Sequence, residues 1–417
     1  MIGRRAILAA SLATPFLGRP GRAQGAARVV VVGGGFGGAS AAHALRDADP
    51  GLDVTLVEAS ATYTACPFSN HVVAGLRDIA GQRFGYDHMA AAGIRMAHAT
   101  ATGVDAKAKL VRLGDATLPY DRLVLAPGVD MNFAALPGYD EAAAEVMPHA
   151  WKAGAQTLKL RAQLEAMPDG GVVVMSVPAN PYRCPPGPYE RASLIAHYLK
   201  THKPRSKLLV LDAKDAFSKQ RLFTAAWAKL YPDTLEWVGL SAGGRVTRVE
   251  ASSLTFETEF GSHRADVANV IPPQRAGRIA VPAGVADRTG WCPVDPASFE
   301  SRLVPGVHVI GDAAIAGAMP KSAFAANAQA KQCADAVAAL LSGKAVREPR
   351  LINTCYSLVA PGYAISVAGV YRPVGGVLTD IEGAGGTSPV DAPDTTRALE
   401  AQYAEAWFST VTGAAFG

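Results

Sequence analysis

The side chains in this sequence with the widest choice of chemistry are five cysteines: Cys66, Cys184, Cys292, Cys333 and Cys355. A cysteine thiolate can exchange with a disulfide, bind a metal ion or attack a reactive carbon. No CxxC pair and no His/Cys cluster with zinc-ligand spacing is present, so we expect no metal site. No CxxCH motif is present either, so we expect no haem on this chain. Because five is odd, at least one cysteine lies outside any internal disulfide.

Cys184 lies in the stretch VPANPYRCPPGP, directly after a run of valines that reads as a buried parallel strand. A nicotinamide-binding enzyme would carry a glycine-rich turn here. Gly187 stands between Pro186 and Pro188, and proline has no N–H to offer a pyrophosphate. We therefore predict a Rossmann-like unit that has lost its nucleotide site.

Ligands of open α/β sheets bind at the carboxyl ends of the strands, which is where Cys184 is expected. A bond from Cys184 to Cys355 would tie the middle of the chain to its last region. The residues alone do not decide between a redox role and a plain structural disulfide, and five cysteines allow many pairings. Cys292 and Cys333 read as small buried apolar residues.

A dinucleotide-binding motif lies near the start of the chain. Gly33, Gly35 and Gly38 give GxGxxG between the strand Val29–Val32 and an alanine-rich helix. A second strand, DVTLVE, ends at Glu58. The glycines allow backbone to approach a pyrophosphate at the helix N-terminus, and the terminal acid can accept hydrogen bonds from ribose. This βαβ pattern predicts a bound dinucleotide.

Two later segments, YDRLVLAPG and VPGVHVIGDAA, resemble the recurring segments of two-dinucleotide flavoproteins. In those proteins the Gly-Asp aspartate, here Asp312, binds the ribityl chain of FAD. The helix that follows, expected to begin near Lys321, would direct its positive dipole end at the flavin. The expected contacts with FAD are Gly33, Gly35, Phe36, Gly37, Gly38, Glu58, Ala126, Gly311, Asp312 and Lys321.

The order of these motifs predicts an α/β protein with two Rossmann-like domains of the FAD/NAD-linked reductase type, and 417 residues of which 49% are apolar suffice for it. We expect an FAD-binding domain split between residues 27–148 and 281–345. An NAD-binding-like domain without an NAD site would occupy residues 149–280, and a small C-terminal domain residues 346–417.

Residues 1–23 read as an export signal, with a pair of arginines, a short apolar run and a small-x-small end. The arginine pair favours the twin-arginine route over an ordinary secretory signal, and both place the mature protein in the periplasm. Removing the segment's four arginines from the 40 basic residues leaves as many bases as the 36 acids. A balanced charge without basic runs argues against nucleic acid. No later run is apolar enough for membrane insertion.

The whole mature chain resembles the flavin-binding subunit of flavocytochrome c sulfide dehydrogenase, within the disulfide-flavoprotein and sulfide:quinone reductase superfamily. The resemblance is carried by GGGFGG, TYTACPFSN, VPANPYRCPPGPYERASLIAHYLK, GDAA with MPKSAFAANAQAK, and INTCYSLVAPGYAISVAGVY. These stretches span residues 33–371, and PYRCPPGPYERA and INTCYS are the most family-specific of them.

The resemblance implies a role for each matching residue. Cys66 would form a thioether to the 8α-methyl of FAD, and Cys184 and Cys355 would form a redox-active disulfide beside the flavin. Glu190 and Trp407 match a glutamate and a tryptophan near that disulfide. Sulfide would open the disulfide, electrons would pass through FAD to a c-type cytochrome subunit that carries the haem, and sulfur would leave as polysulfide or sulfur. No NAD is implied.

Each of these matches has a plainer reading. Cys66 could be a buried thiol, and Glu190 could be placed only by the dipole at a helix start. Trp407 shares a helical stripe with Leu399 and Tyr403, which suits simple core packing.

Three other functions stay open. A sulfide:quinone oxidoreductase would meet the membrane through its tail, yet the tail helix here carries Glu400 and Glu405 against the single base Arg397. An NAD(P)H-dependent disulfide reductase would need a second glycine loop. A flavin-carrying sulfur-transfer partner would use its disulfide only for structure.

Overall fold

A computed structural model describes residues 25–417 of the chain, so the predicted export signal lies outside the described residues. Parallel sheets covered by helices build most of this part, which confirms the predicted α/β class.

The first sheet has five parallel strands in the spatial order β20-β9-β1-β2-β5. Its central strand is a run of valines with almost no exposed surface, as expected for a strand covered on both faces. Two long helices pack against each other beside it. These elements are β1 (Arg28–Val32), β2 (Asp53–Val57), β5 (Arg95–Ala97), β9 (Arg122–Leu125), β20 (Val307–Val309), α1 (Phe36–Ala48) and α8 (Ala323–Leu341).

The sheet joins distant parts of the sequence, because β20 pairs with β9 in parallel across about 180 residues of intervening chain. The domain boundaries themselves stay predictions. Small antiparallel pieces surround this sheet: β3 (Thr62–Thr64) with β4 (Arg83–Gly85); β6 (Gly103–Asp105), β7 (Leu110–Leu113) and β8 (Ala116–Pro119); and β10 (Val129–Met131) with β18 (Gln274–Ala276). The parallel pair β19 (Cys292–Pro293) and β21 (Ala314–Ile315) is a further small piece. The helices in this part of the sequence are α2 (Ser69–Val73), α3 (Asp87–Ala91), α4 (Glu141–Val146) and α5 (Ala155–Ala166). Of these, α4 and α5 pack against the sheet that the middle of the chain forms.

The middle of the chain forms a second parallel sheet, in the order β13-β12-β11-β17. Its elements are β11 (Val172–Val177), α6 (Gly187–His202), β12 (Lys207–Asp212), α7 (Gln220–Leu230), β13 (Leu235–Val238) and β17 (Val267–Val270). An antiparallel extension precedes the last strand: β14 (Val246–Glu250), β15 (Thr255–Thr258) and β16 (Ser262–Arg264).

The last part of the chain is a long hairpin followed by a helix that runs back to the first sheet. Its elements are β22 (Leu351–Ala360), β23 (Tyr363–Val374), β24 (Val377–Asp380), β25 (Gly386–Thr387) and α9 (Asp394–Phe416). At the end of α9, Phe416 packs among Phe36, Tyr63 and Phe84 with ring centroids 5.2–5.6 Å apart. The C-terminal region is therefore part of the wall around the first sheet.

The starts of two helices near the cavity are set by their first turns. Helix α6 begins at Gly187, because the prolines at its first turn need no hydrogen-bond partner there. The helix expected from Lys321 begins two residues later, because the Ser322 side chain caps it by accepting from the backbone N of Ala325 at 3.0 Å. Among residues 25–417, no helix is both long and apolar enough to cross a membrane.

Candidate active site

One cavity of about 620 Å³ lies where the two parallel sheets and the C-terminal hairpin meet. It is lined by the first glycine loop, the turn before α6, the start of α8, strand β22 and helix α9. The predicted site residues that line it are Gly33, Gly35, Phe36, Gly37, Glu58, Cys66, Ala126, Cys184, Glu190, Gly311, Asp312, Cys355 and Trp407. Of the predicted set, Gly38 and Lys321 do not line it.

The glycine loop has no space for a side chain at two of its glycines. Gly33 has φ +102°, and a Cβ there would lie 2.4 Å from the Ala126 carbonyl oxygen. A Cβ on Gly38 would lie 1.8 Å from the Gly33 carbonyl oxygen, so Gly38 serves the loop by packing behind it. Glu58 accepts from the backbone N of Gly34 at 2.8 Å and thereby ties the second strand to this loop. This geometry fits a dinucleotide pyrophosphate at the N-terminus of α1.

Asp312 adds a hydrogen-bond acceptor to the same cavity. Its Oδ1 is buried and has no hydrogen-bond partner within residues 25–417, and its Oδ2 lies 3.9 Å from Arg183 Nη1. A buried acceptor left without a donor is unfavourable, so this site suits a ligand hydroxyl such as those of a ribityl chain. The glycine cradle and this oxygen together fit FAD.

Lys321 binds the backbone of the segment that carries Asp312. Its Nζ donates to the carbonyl oxygens of Asp312 and Ala314, at 2.8 Å each, and lies 4.0 Å from the centre of the Trp291 ring. The Lys321 ammonium thus donates two hydrogen bonds within the protein. Its predicted contact with FAD stays a prediction.

Cys184 lies in the turn between β11 and α6, with φ +58°. Its backbone N donates to the Lys321 carbonyl oxygen and its own carbonyl accepts from Gly187 N, both at 2.8 Å. Gly187 is needed here because a Cβ would come within 3.0 Å of both the Trp151 ring and the Cys184 sulfur. Burial raises the pKa of the Cys184 thiol. The turn thus holds the Cys184 thiol at the cavity.

Cys355 reaches the same cavity from β22, where the Nδ2 of Asn353 donates to its sulfur at 3.4 Å. All five cysteines of the described chain are free thiols in this structure, so the predicted bond between Cys184 and Cys355 stays a prediction. Cys292 and Cys333 are fully buried and do not line the cavity.

Cys66 lies just before α2 and lines the same cavity as the glycine loop. Its half-buried thiol donates to the Trp151 carbonyl oxygen at 3.8 Å. The thiol is therefore accessible to a ligand held by that loop, whereas a fully buried thiol would not be.

Glu190 lies in the first turn of α6 and is 9% exposed. Burial raises the pKa of its carboxyl group to about 7, although the charges of Lys219 and Arg191 and a hydrogen bond with Asn70 oppose that shift. Glu190 can therefore gain or lose a proton near neutral pH, as a general acid or base must.

Trp407 lies on α9 and stacks on Phe324 of α8, with ring centroids 6.0 Å apart and planes 12° from parallel. The predicted packing stripe is wrong, because Leu399 and Tyr403 are 43% and 49% exposed. The buried face of α9 instead carries Ala404 and Phe408, so Trp407 stands at the edge of that face and lines the cavity.

The turn before α6 and the end of β12 use their polar groups within the protein. In that turn, the backbone N–H groups of Arg183, Cys184 and Gly187 all donate within the chain. At the end of β12, the Asp212 carboxylate accepts from Tyr189 Oη at 2.6 Å and Trp237 Nε1 at 3.0 Å, and Lys214 Nζ lies 2.6 Å away. This acid is fully buried. The predicted loss of an NAD site here stays a prediction.

Three cationic residues near the cavity were not found from the sequence. Arg191 is 2% exposed and donates to the carbonyl oxygens of His149 at 2.8 Å and Ala150 at 2.5 Å. Arg183 and Lys219 are also largely buried. The position of Arg183 beside Cys184 was a usable signal, but Lys219 stands in an ordinary turn sequence that gives none.

Three family models match the chain. A pyridine nucleotide-disulphide oxidoreductase model matches residues 27–170. The model of the central part of the sulfide dehydrogenase [flavocytochrome c] flavoprotein chain matches residues 157–272. The flavin-binding model of flavocytochrome c sulphide dehydrogenase matches residues 347–416.

Curated relatives agree with these models. The sulfide dehydrogenase [flavocytochrome c] flavoprotein chain of Chlorobaculum thiosulfatiphilum is 62% identical over 48 residues, which are 12% of this chain and 100% of that sequence. The probable ferredoxin reductase CtmF of Castellaniella defragrans is 36% identical over 116 residues, 27% of this chain and 28% of that reductase.

Solved structures share the fold. The sulfide:quinone oxidoreductase of Aquifex aeolicus superposes with a TM-score of 0.73 at 16% identity, over 94% of this chain and 92% of that one. An NAD-dependent persulfide reductase from A. fulgidus gives a TM-score of 0.61 at 20% identity, over 82% of this chain and 64% of that one. At these identities the likeness concerns the fold alone.

Proposed function

The chain belongs to the flavocytochrome c sulfide dehydrogenase flavoprotein family, and from that premise we propose that Cys184, Cys355 and FAD oxidise sulfide for a c-type cytochrome partner. Family membership supports the coarser statement directly: the protein is a sulfide-oxidising flavoprotein oxidoreductase. The route of the electrons and the place of the reaction are the proposal.

One observation carries the proposal. Cys66, Cys184 and Cys355 come from three different regions of the chain and line one cavity together with the glycine loop. The remaining two cysteines are fully buried elsewhere. Convergence of only the three half-buried thiols on the cavity of the glycine loop favours a chemical role for them over a structural one.

The residues that would hold FAD are the glycine loop, Glu58, Ala126, Gly311 and Asp312. When bound there, FAD supplies an acceptor for two electrons that can pass them on singly. The N-terminus of α8 lies at the cavity and favours negative charge near it. We propose that Cys66 fixes the cofactor through a thioether, which would prevent its loss in a compartment without a pool of FAD.

In the proposed reaction, sulfide reacts with the two remaining cysteines, and atoms and electrons balance as follows. HS⁻ attacks one sulfur of a Cys184–Cys355 disulfide: a new S–S bond forms, the old one breaks, and its electron pair stays on the other cysteine as a thiolate. A second HS⁻ takes the bound sulfur away as HS–S⁻ and leaves one thiol and one thiolate. These re-form the disulfide by losing one proton and two electrons. Glu190, whose pKa is about 7, is placed to take that proton.

The electrons would leave through a c-type cytochrome subunit that carries the haem, and the complex would work in the periplasm. The family name supports such a partner. The filled turn before α6 and the buried Asp212 support entry of electrons from sulfide rather than from NAD(P)H.

The test is anaerobic reduction of the bound flavin, followed by its absorbance. Sulfide should bleach the flavin band of the wild-type protein, and cytochrome c should restore it. Cys184→Ser and Cys355→Ser should each lose bleaching by sulfide but keep bleaching by dithionite. Cys333→Ala is the matched control, because it removes a buried thiol that is remote from the cavity.

A Cys184→Ser protein that reacts with sulfide at the wild-type rate per flavin would refute the redox role and favour a structural disulfide. The shared fold with a sulfide:quinone oxidoreductase makes a quinone the alternative acceptor. Faster re-oxidation by a soluble quinone analogue than by cytochrome c would select that function.

A further inference from the structure

Lys219 connects the region of the second parallel sheet to β22, the strand that carries Cys355. It lies in the turn before α7 with φ +63°, and it is 8% exposed. Its Nζ donates to the Cys355 carbonyl oxygen at 2.9 Å and to Ser357 Oγ at 2.7 Å on β22. A third, longer contact reaches the Ile365 carbonyl oxygen on β23 at 3.4 Å. Ser357 and Ile365 are opposite each other in the hairpin, so the ammonium binds both of its strands at one register position.

This ammonium has no carboxylate partner within 4.0 Å among residues 25–417. The charge of Glu400 is already neutralised, because its carboxylate lies 3.3 Å from Arg397 and accepts from Ser366 Oγ and Ser388 Oγ. Burial favours the protonated form of Glu190, whose pKa is raised to about 7. A buried cation without a paired anion is unfavourable, which suggests that an anion forms nearby during function.

The Cys355 sulfur is one place near Lys219 where such an anion can form. A carbonyl oxygen and the sulfur of the same cysteine are at most about 5 Å apart by bond geometry, so Nζ lies within roughly 8 Å of the sulfur. The amide of Asn353 also donates to that sulfur at 3.4 Å. No donor within residues 25–417 bonds to the Cys184 sulfur, so the two cysteines of the proposed disulfide differ in their surroundings.

The other titratable groups around these sulfurs are Glu190 and Arg191 on α6, Tyr182 in the turn before it, and Tyr371 on β23. The Arg191 guanidinium already donates to the carbonyl oxygens of His149 and Ala150. Arg183 also faces Cys184, but its Nη2 donates to the Trp151 carbonyl oxygen and its Nη1 lies near Asp312. Lys219 is therefore the cation on the Cys355 side, and burial limits the screening of its charge by solvent.

We propose that Lys219 is a positioning residue that stabilises negative charge on the sulfur carried by Cys355 and makes the Cys184–Cys355 disulfide a stronger oxidant. The inference rests on the proposed function. If HS⁻ attacks Cys184, the broken bond leaves its electron pair on Cys355 as a thiolate. If HS⁻ attacks Cys355, loss of a proton gives an anionic persulfide there. Both outcomes place one negative charge beside Lys219.

The experiment compares Lys219→Met with Lys219→Arg and Ser357→Ala. Met removes the charge at similar volume, Arg keeps it, and Ser357→Ala removes one hydrogen bond while leaving the ammonium in place. The disulfide potential is measured by equilibration with glutathione, and the thiolate fraction of Cys355 by the pH dependence of iodoacetamide alkylation, read by peptide mass spectrometry.

We expect Lys219→Met to lower the thiolate fraction of Cys355 at neutral pH about tenfold and to lower the disulfide potential by about 30 mV. Lys219→Arg and Ser357→Ala should stay close to wild type in both measurements. A purely structural anchor would instead make Ser357→Ala and Lys219→Met similar and leave the alkylation profile unchanged in the folded fraction.

Unchanged potential and alkylation in Lys219→Met would overturn the inference, and Lys219→Gln supplies the same comparison if Met does not fold. The intact mass of oxidised wild-type protein keeps the two proposals separate. If it shows no disulfide between Cys184 and Cys355, the proposed function fails, whereas alkylation of Cys355 still tests the effect of Lys219.

Discussion

At the scale of single residues, Glu190 is a carboxyl group held where its charged form is disfavoured. Burial raises its pKa from 4.5 to about 7. Between these values the folded protein keeps a proton that the unfolded chain has lost, so the free energy of unfolding decreases as the pH rises through this window. A group with this behaviour costs stability at neutral pH, which fits a functional position.

Glu190→Gln should therefore become more stable relative to wild type as the pH rises from about 4.5 to about 7, by at most about 3 kcal/mol. Urea denaturation at several pH values measures the difference. Glu259→Gln is the control, because Glu259 is exposed and its pairing with Arg245 is loose, at 3.9 Å. A stability difference between wild type and Glu190→Gln that does not change with pH would contradict the assignment.

Cys66 gives a second prediction at this scale. Acid precipitation of the wild-type protein should leave flavin in the pellet, because the half-buried thiol lines the cavity of the glycine loop and would hold FAD covalently. Cys66→Ala should fold, since the loop and Asp312 remain, but its FAD should appear in the supernatant. Cys333→Ala should behave as wild type. Free FAD released from the wild-type protein would rule out the thioether.

Residue types in strong local patterns were predictable here, and residues that act across the fold were not. The glycine loop and Asp312 were predictable from the strand and turn patterns on either side of them. Lys219 acts through strands that lie about 140 residues further along the chain, so only the folded structure reveals it. Helix α8 begins two residues after the predicted start at Lys321, because Ser322 caps it.

At the scale of elements, the turn between β11 and α6 carries the proposal about which reductant the protein accepts. Its prolines lack N–H groups, and the backbone N–H groups of Arg183 and Cys184 donate within the chain. Aromatic side chains pack beside it: Tyr189 stacks on Phe217 with centroids 3.6 Å apart, and Phe217 lies 5.4 Å from Trp237. The sequence predicts a missing glycine loop at this turn, but it gives no signal for this aromatic cluster.

We therefore expect NADH at micromolar concentration to leave the flavin band unchanged during an anaerobic incubation in which sulfide bleaches it. Stopped-flow absorbance with either reductant measures this. Dithionite is the control for a reducible flavin. Rapid bleaching by NADH would contradict the reading of this turn and restore the NAD(P)H-dependent reductase as the better function.

At the scale of the whole molecule, the C-terminal region packs against the elements around the first sheet and does not stand apart from them. The periodicity of α9 could indicate that one face is buried, but it could not say against which element. In the structure that face packs on the hairpin and on α1, and Phe416 closes a cluster with Phe36, Tyr63 and Phe84.

Phe416→Ala should lower the free energy of unfolding by about 3–5 kcal/mol, because a buried aromatic ring leaves a cavity among three others. Tyr403→Ala on the same helix is the control and should stay within about 0.5 kcal/mol of wild type, since its side chain is 49% exposed. Thermal or urea denaturation measures both. Equal stability of the two variants would show that the end of α9 does not hold the fold together.

The contact between Phe416 and Phe36 also has a consequence for the order of folding. About 380 residues of chain separate these two rings. Contacts between residues far apart in the sequence are slow to form, because the entropy of closing a long loop is lost before the contact stabilises the chain. We therefore expect the aromatic cluster of Phe36, Tyr63, Phe84 and Phe416, and with it this wall around the first sheet, to form late in folding.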